Sequence, residues 1–235
     1  MKASLFPPVP PNSLTDAEEI IRNDWAAFSG LDTLTNHWER PAWPDGAKAY
    51  YWLLSLGEFP ELRARAEACQ SALAQVPDLD LVPAALLHLT LCRVGAMADV
   101  GDEVLSNVAD AAAERVRQWG PMRLSIGPLA GSAGAIRFSV TPWDRLLHLQ
   151  DELMLARNSV LSAAPNRGLR PHVSIAYNAR QRPAASIVEH VRELRGQSPV
   201  EVVVTEVDLV RLERDGRVYR WTTSNRVTLN GNQPS

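Results

Sequence analysis

Apolar and polar positions along this chain switch between two periods, and the switches lay out its elements. Ala49 to Leu56 is a short continuous apolar run of the kind a buried strand needs. Leu62, Ala66, Cys69, Leu73 and Val76 then return every three or four residues, which predicts an amphipathic helix. Leu86 to Val94 reads as strand. A second helix follows, with Asp99 as its expected cap and Val104, Val108, Ala112 and Val116 as its stripe. Met122 to Ile126 and Ala135 to Val140 predict paired strands around a glycine-rich turn. Thr141-Pro142-Trp143-Asp144 should open a third helix, with a cap, a proline in the first turn and an acidic start. Its stripe is Leu146, Leu149, Leu153, Ala156 and Val160. His172 to Tyr177 is strand, and Pro183 to Gly196 a helix with Ile187, Val191 and Leu194 inward. Val200 to Leu212 and Arg217 to Thr223 close the chain as strands turned by Asp215-Gly216. A short helix is expected near Asp16 to Phe28.

This order predicts an α+β fold of two similar lobes, each an antiparallel sheet with flanking helices, around a central cleft. The 235 residues suffice for one large domain or two closely packed halves. We read residues 1–45 as a proline- and aromatic-rich extension packing on the main domain, 46–228 as the bilobal domain and 229–235 as a tail. Hydrophobic residues make up 46% and charged ones 22%, an ordinary globular balance. A net charge of −3 argues against coating long nucleic acid through the overall field, but leaves room for a terminal nucleotide recognised locally. Cys69 and Cys92 form no C-x-x-C pair, which suits a reducing compartment. No apolar run is long enough to span a membrane. A cytoplasmic monomer is expected.

Two phrases carry the chemistry. His88-Leu89-Thr90-Leu91 and His172-Val173-Ser174-Ile175 each read histidine, apolar, hydroxyl, apolar. In a strand, alternate side chains share a face, so His88 lies with Thr90 and His172 with Ser174. A lone His-x-Thr is common, and a histidine on an apolar strand is usually a satisfied core residue. Two matched copies, 84 residues apart, favour catalysis and suggest a structural duplication. One neutral imidazole takes a proton from an attacking oxygen while one imidazolium protonates the leaving oxygen, each worth about 10²–10⁴-fold. The hydroxyls donate to non-bridging phosphate oxygens as charge builds there. The spacing is not that of metal ligands, so neither metal nor cofactor is expected.

The pair HLTL and PHVSI resembles the signature of the 2H phosphoesterases, the group of 2′-5′ RNA ligase-like proteins and 2′,3′-cyclic phosphodiesterases. The resemblance runs over roughly residues 37–225. It takes in Asn36-His37-Trp38-Glu39-Arg40-Pro41, Trp43-Pro44-Asp45-Gly46, Arg93-Val94-Gly95 and Leu209 to Trp221, phrases similar to an actinobacterial branch. It implies His88 and His172 as the catalytic histidines, with Thr90 and Ser174 holding phosphate. It implies a bilobal fold and a metal-independent phosphoesterase acting on a 2′,3′-cyclic phosphate or 2′-5′ phosphodiester of an RNA end or small nucleotide, reversible as a ligase. Two alternatives stand beside it: a catalytically silent RNA- or nucleotide-binding module, and a phosphodiesterase for a small cyclic nucleotide in metabolism or defence.

Four further residues are candidates for substrate binding. Arg170 precedes His172 by two and shares its face if the strand extends back; an exposed edge arginine is an equal reading. Arg93 stands an odd step from His88, where the strand is expected to end. His37 and Trp38 either stack a base over the cleft or belong to a strap filling a groove, the second being favoured. Tyr177, an odd step from His172, is expected to point into the core unless the strand bends. His148 and His190 lie off their helix stripes and read as solvated. Ala130 to Gly134 approaches a nucleophile elbow but sits at a strand–strand turn.

Overall fold

The structure, a computed structural model, describes residues 5–39, 43–166 and 168–231. Arg40 and Pro41 of the strap phrase and residues 232–235 of the tail lie outside these. The strands are β1 (Thr33–Leu34), β2 (Lys48–Ser55), β3 (Leu79–Leu81), β4 (His88–Ala96), β5 (Met122–Ser132), β6 (Ala135–Thr141), β7 (His172–Asn178), β8 (Arg182–Pro183), β9 (Val200–Val204), β10 (Glu206–Asp215) and β11 (Val218–Thr228). The helices are α1 (Ala17–Ser29), α2 (Pro60–Leu73), α3 (Asp102–Val116), α4 (Asp144–Val160) and α5 (Ala185–Leu194).

A four-stranded sheet runs β11-β10-β2-β4 and a five-stranded sheet β3-β7-β6-β5-β9, every pairing antiparallel. Each sheet carries one histidine phrase, on β4 and β7, and these two strands adjoin. The fold is the expected α+β arrangement of two lobes. On the first sheet Tyr50, Trp52 and Leu54 of β2, with Leu89 and Leu91 of β4, are buried. Each large apolar side chain so buried is worth about 1.5–3 kcal/mol.

Several boundaries differ from the sequence reading, each for a local reason. The single strand expected from Val200 to Leu212 is two strands in different sheets. Val200, Val202 and Val204 are buried at alternate positions against β5, whereas beyond Thr205 Val207, Asp208, Leu209 and Val210 are all buried, in a strand that lies between β2 and β11. Gly101, not Asp99, caps α3. Pro142 lies outside α4, which begins at Asp144 without a side-chain cap. The amides of Trp143 and Asp144 instead donate to the Leu14 carbonyl, at 2.7 and 3.3 Å. α5 begins at Ala185 because Arg182 and Pro183 are used in β8 against β1.

The amino-terminal residues are thus built into the fold. Asp16 caps α1, its carboxylate accepting from the amides of Glu18 and Glu19. The helix lies on β5 and β6. Gly131 permits that approach, since a Cβ there would stand 2.3 Å from the Phe28 ring. At the other end, the amide of Leu229 donates to Thr205 and that of Gly231 to Trp119.

Candidate active site

Strand register decides which side chains join the motif face. β4 pairs with β2 so that His88 opposes Ser55 and Thr90 opposes Leu53. Leu91 is then an extra residue, a bulge, and Cys92 opposes Trp52. Arg93 opposes Tyr51, which lies on the same face of β2 as Leu53 and Ser55. The bulge therefore carries Arg93 onto the face of His88 and Thr90, and the strand continues to Ala96 rather than ending. The Arg93 side chain is exposed and makes no hydrogen bond or ion pair among the described residues.

β7 repeats this against β6. His172 opposes Ser139, Ser174 opposes Arg137, Ile175 is the extra residue, and Tyr177 opposes Ala135. Ala135, Arg137 and Ser139 alternate on one face, so Tyr177 joins the face of His172 and Ser174 while remaining buried. The odd spacing read from the sequence is cancelled by the bulge in both motifs.

The histidines are held alike. The Nδ1 of His88 donates to the Leu86 carbonyl at 2.9 Å, and that of His172 to the Arg170 carbonyl at 2.7 Å. A carbonyl only accepts, so Nδ1 carries the proton in each ring and Nε2 is the nitrogen whose protonation can change. His88 is half-buried, with the Trp221 ring edge-on at 4.9 Å. Burial pushes its pKa below the ordinary histidine value, opposed by the bond to Leu86. Ser55, across from His88, donates to Asp208 at 2.6 Å, and Asp208 in turn accepts from Arg226 at 2.7 Å.

The remaining candidates are placed as follows. Arg170 donates from Nε to the Pro7 carbonyl at 3.1 Å and from Nη1 to Leu169, with its guanidinium 6.0 Å from the Trp143 ring. His37 is buried, stacked on Tyr177 at 3.9 Å, with Nε2 2.9 Å from the Tyr219 hydroxyl. Trp38 is buried beside it, donating from Nε1 to Asp80 at 2.7 Å. His148 faces Glu152 at 3.7 Å and is largely exposed. Ala130 to Gly134 spans the β5–β6 turn.

Arg137 was missed by sequence reasoning. It is buried opposite Ser174, donates from Nη2 to the Phe6 carbonyl at 2.7 Å, and lies 3.7 Å from the buried Asp24 of α1. Burial lowers its pKa to about 10, against the pull of Asp24, and raises that of Asp24. Its signal was a cation inside the apolar run Ala135 to Val140, two residues from Ser139 and on the same strand face. Among the described residues no group of three or more His, Cys, Asp or Glu could hold a metal ion, and no helix is long and apolar enough to cross a membrane.

Comparison with known proteins places this geometry. The profile described as the 2′-5′ RNA ligase superfamily matches residues 59–216. No curated protein matches the chain significantly. Among solved structures, TT0787 of Thermus thermophilus is 19% identical with a TM-score of 0.60, covering 79% of this chain and 100% of its own. E. coli LigT complexed with NADP+ is 18% identical with a TM-score of 0.58, covering 78% and 98%. LigT complexed with 3′-AMP is 17% identical with a TM-score of 0.55, covering 79% and 99%. At such identities these structures share the fold, and about a fifth of this chain has no counterpart in them. With the profile spanning more than half its length, this chain belongs to the 2′-5′ RNA ligase superfamily.

Proposed function

We propose that the protein is a phosphoesterase that works without a metal on a 2′,3′-cyclic phosphate or a 2′-5′ phosphodiester at the end of an RNA or on a small nucleotide. The observation that carries this reading is the matched pair of histidines on adjoining strands, each with Nδ1 pinned to the carbonyl two residues back. In hydrolysis a water oxygen bonds to phosphorus while the bond to one ribose oxygen breaks. His88, biased towards the neutral form by its burial, takes the water proton at Nε2. His172 gives a proton to the leaving ribose oxygen. The hydroxyls of Thr90 and Ser174 donate to the non-bridging oxygens, and Arg93 adds a charge-assisted contact. Arg170 and Arg137 are committed to main-chain carbonyls and are assigned no substrate contact. The reverse sequence joins ends, the ligase direction.

Family membership supports phosphodiester chemistry, and relatives crystallised with 3′-AMP, ATP and NADP+ support a nucleotide as the ligand. The test is turnover by purified protein, with EDTA present, of nucleoside 2′,3′-cyclic phosphates, 2′-5′ and 3′-5′ dinucleotides and cyclic dinucleotides. Hydrolysis of the first two classes, lost in both His88→Ala and His172→Ala, is expected. Turnover surviving either substitution overturns the two-histidine mechanism. Tight binding of these nucleotides without turnover favours the silent binding module, and turnover of cyclic dinucleotides alone favours the cyclic-nucleotide enzyme.

A further inference from the structure

Behind the first sheet, a cleft of about 350 Å³ opens between the start of α3 and strands β2, β10 and β11. Tyr50 lines it from the side of β2 opposite to Tyr51 and Ser55, so the cleft faces away from His88 and Thr90. We propose that it binds a small sugar phosphate, with the phosphate on Arg211 and the sugar hydroxyls towards Asp102. The inference stands apart from the phosphoesterase reading above, since none of the four motif residues lines this cleft.

Strand register builds the floor. Tyr50 of β2 opposes Arg211 of β10, and Arg211 opposes Thr222 of β11. A hydroxyl, a guanidinium and a hydroxyl therefore stand in one row across three strands. A bulge in β11 widens the polar wall. Alternation puts Thr222 and Ser224 on one side of that strand, and the extra residue at Ser224 brings Asn225, opposite Leu209, to the same side. The start of α3 closes the cleft with Asp102, Leu105 and Ser106.

Two groups in that row have no partner within the protein. Tyr50 is only 5% exposed, yet its hydroxyl makes no hydrogen bond among the described residues. A buried tyrosine ordinarily finds one. Arg211 is the second. The β10–β11 hairpin carries four other arginines, and each is engaged: Arg214 with the Trp38 and Trp43 carbonyls, Arg217 with Asp80, Arg220 with Asp215 and Arg226 with Asp208. The Arg211 side chain makes no hydrogen bond or ion pair among the described residues, although it stands on the face of β10 that buries Leu209.

These groups select the ligand. Three donors in a row, one of them charged, match the three terminal oxygens of a phosphate monoester. Asp102 and Glu103 already complement the positive end of α3, so the anion is assigned to Arg211 and not to the helix. The Asp102 carboxylate can only accept, which suits the hydroxyls of a sugar. The one aromatic ring in the lining, that of Tyr50, is buried, so no open face is offered to a base. Ligand sites run from about 300 to 1,000 Å³, which puts this cleft at the small end.

The experiment follows amide hydrogen exchange over residues 102–106 and 222–225 as ribose 5-phosphate is added. Reading protection at these segments separates the cleft from binding at the motif face. Both segments should be protected, in wild type and equally in His88→Ala. Arg211→Met should weaken the binding read there about tenfold or more, by removing the charged donor. Tyr50→Phe keeps the buried ring and loses only the hydroxyl, so it should weaken binding severalfold with Tm unchanged. Melting curves show that both variants are folded. Inorganic phosphate and ribose, added separately, should each protect more weakly than the ester. Absent protection, protection lost in His88→Ala, or affinity unchanged in both cleft variants overturns the inference. Serine, an anion with a donor but no phosphate, protecting as well as the ester would make this an amino-acid site and overturn it too.

Discussion

Gln70 and Gln150 are counterparts: each is buried on a helix and donates its side-chain amide to the carbonyl of the bulged residue in one motif strand. Gln150 of α4 reaches Leu91 at 2.9 Å, and Gln70 of α2 reaches Ile175 at 2.8 Å and Val82 at 2.6 Å. The bulged residues stand three past His88 and three past His172. The support is crossed, because α2 precedes the first motif but pins the second, while α4 precedes the second and pins the first. The duplication extends beyond the histidines to the irregularity that aims Arg93 and Tyr177.

Gln150→Leu should therefore act on Arg93. Losing the donor leaves the Leu91 carbonyl buried without its side-chain partner, at a cost of about 1–3 kcal/mol. It also frees the bulge to relax, and kcat/KM should fall. Combining it with Arg93→Ala should cost clearly less than the product of the two losses, because both act on one contact. Gln70→Leu should weaken the Ile175 bulge less, since the Val82 amide still donates to that carbonyl at 2.9 Å. Independent, multiplicative effects of Gln150→Leu and Arg93→Ala would separate the glutamine from the arginine.

The bulges also explain what the sequence hid. His88 with Thr90, and His172 with Ser174, share faces by simple alternation, so the paired motifs could be read directly. Arg93 and Tyr177 stood at odd spacings, and only one extra residue in each strand reverses their parity. Nothing in Leu91 or Ile175 announces a bulge; the buried glutamines that stabilise it come from helices about 60 and 105 residues away in sequence. The break at Thr205 was not read, because no glycine or proline marks it in the run Val200 to Leu212. Nor were the starts of α4 and α5, because Leu14 and β1 supply tertiary partners that local propensity does not record.

The lowered pKa of His88 sets a pH dependence. Burial favours the neutral ring, so the folded chain gives up this proton at a lower pH than the unfolded one. The unfolded state then binds more protons as pH falls through the ordinary histidine range, so the stability contribution is full above about 6.5 and is lost below it. As general base, His88 should place the acid limb of kcat/KM below the usual histidine value. Trp221→Ala opens one side of the ring to water and should move that limb upward, towards about 6.5. A limb that stays in place in Trp221→Ala would mean that burial by this ring does not govern His88.

Gly131 tests the packing of α1. An alanine methyl would meet the buried Phe28 ring at 2.3 Å and force the ring or the helix to shift. Overpacking of this kind costs about 1–3 kcal/mol. For a chain of this size each kcal/mol lowers Tm by roughly 2–4 °C. Gly131→Ala/Phe28→Leu should recover part of the loss by freeing volume at the contact. A Tm unchanged in Gly131→Ala would show that α1 adjusts freely on β5.

The final prediction separates the two kinds of group at the motif face. His88→Ala and His172→Ala should each remove most turnover, since neither ring can make the other's proton transfer. The double variant should be little worse than either alone, because groups acting as one unit are not additive. Thr90→Val and Ser174→Ala each remove one donor to the transition-state oxygens and should be milder, on the order of 10–10³-fold. The losses should fall mainly on kcat, because these bonds strengthen as charge builds on the phosphate. Ser174 has buried Arg137 opposite it, whereas Thr90 is half-exposed opposite Leu53. Unmaking a donor beside the buried cation should disturb its surroundings more, so Ser174→Ala is expected to lower Tm where Thr90→Val does not. Steady-state kinetics and melting curves on the four single variants read both differences. Equal kcat for Thr90→Val and wild type on the best substrate would remove Thr90 from the phosphate contacts.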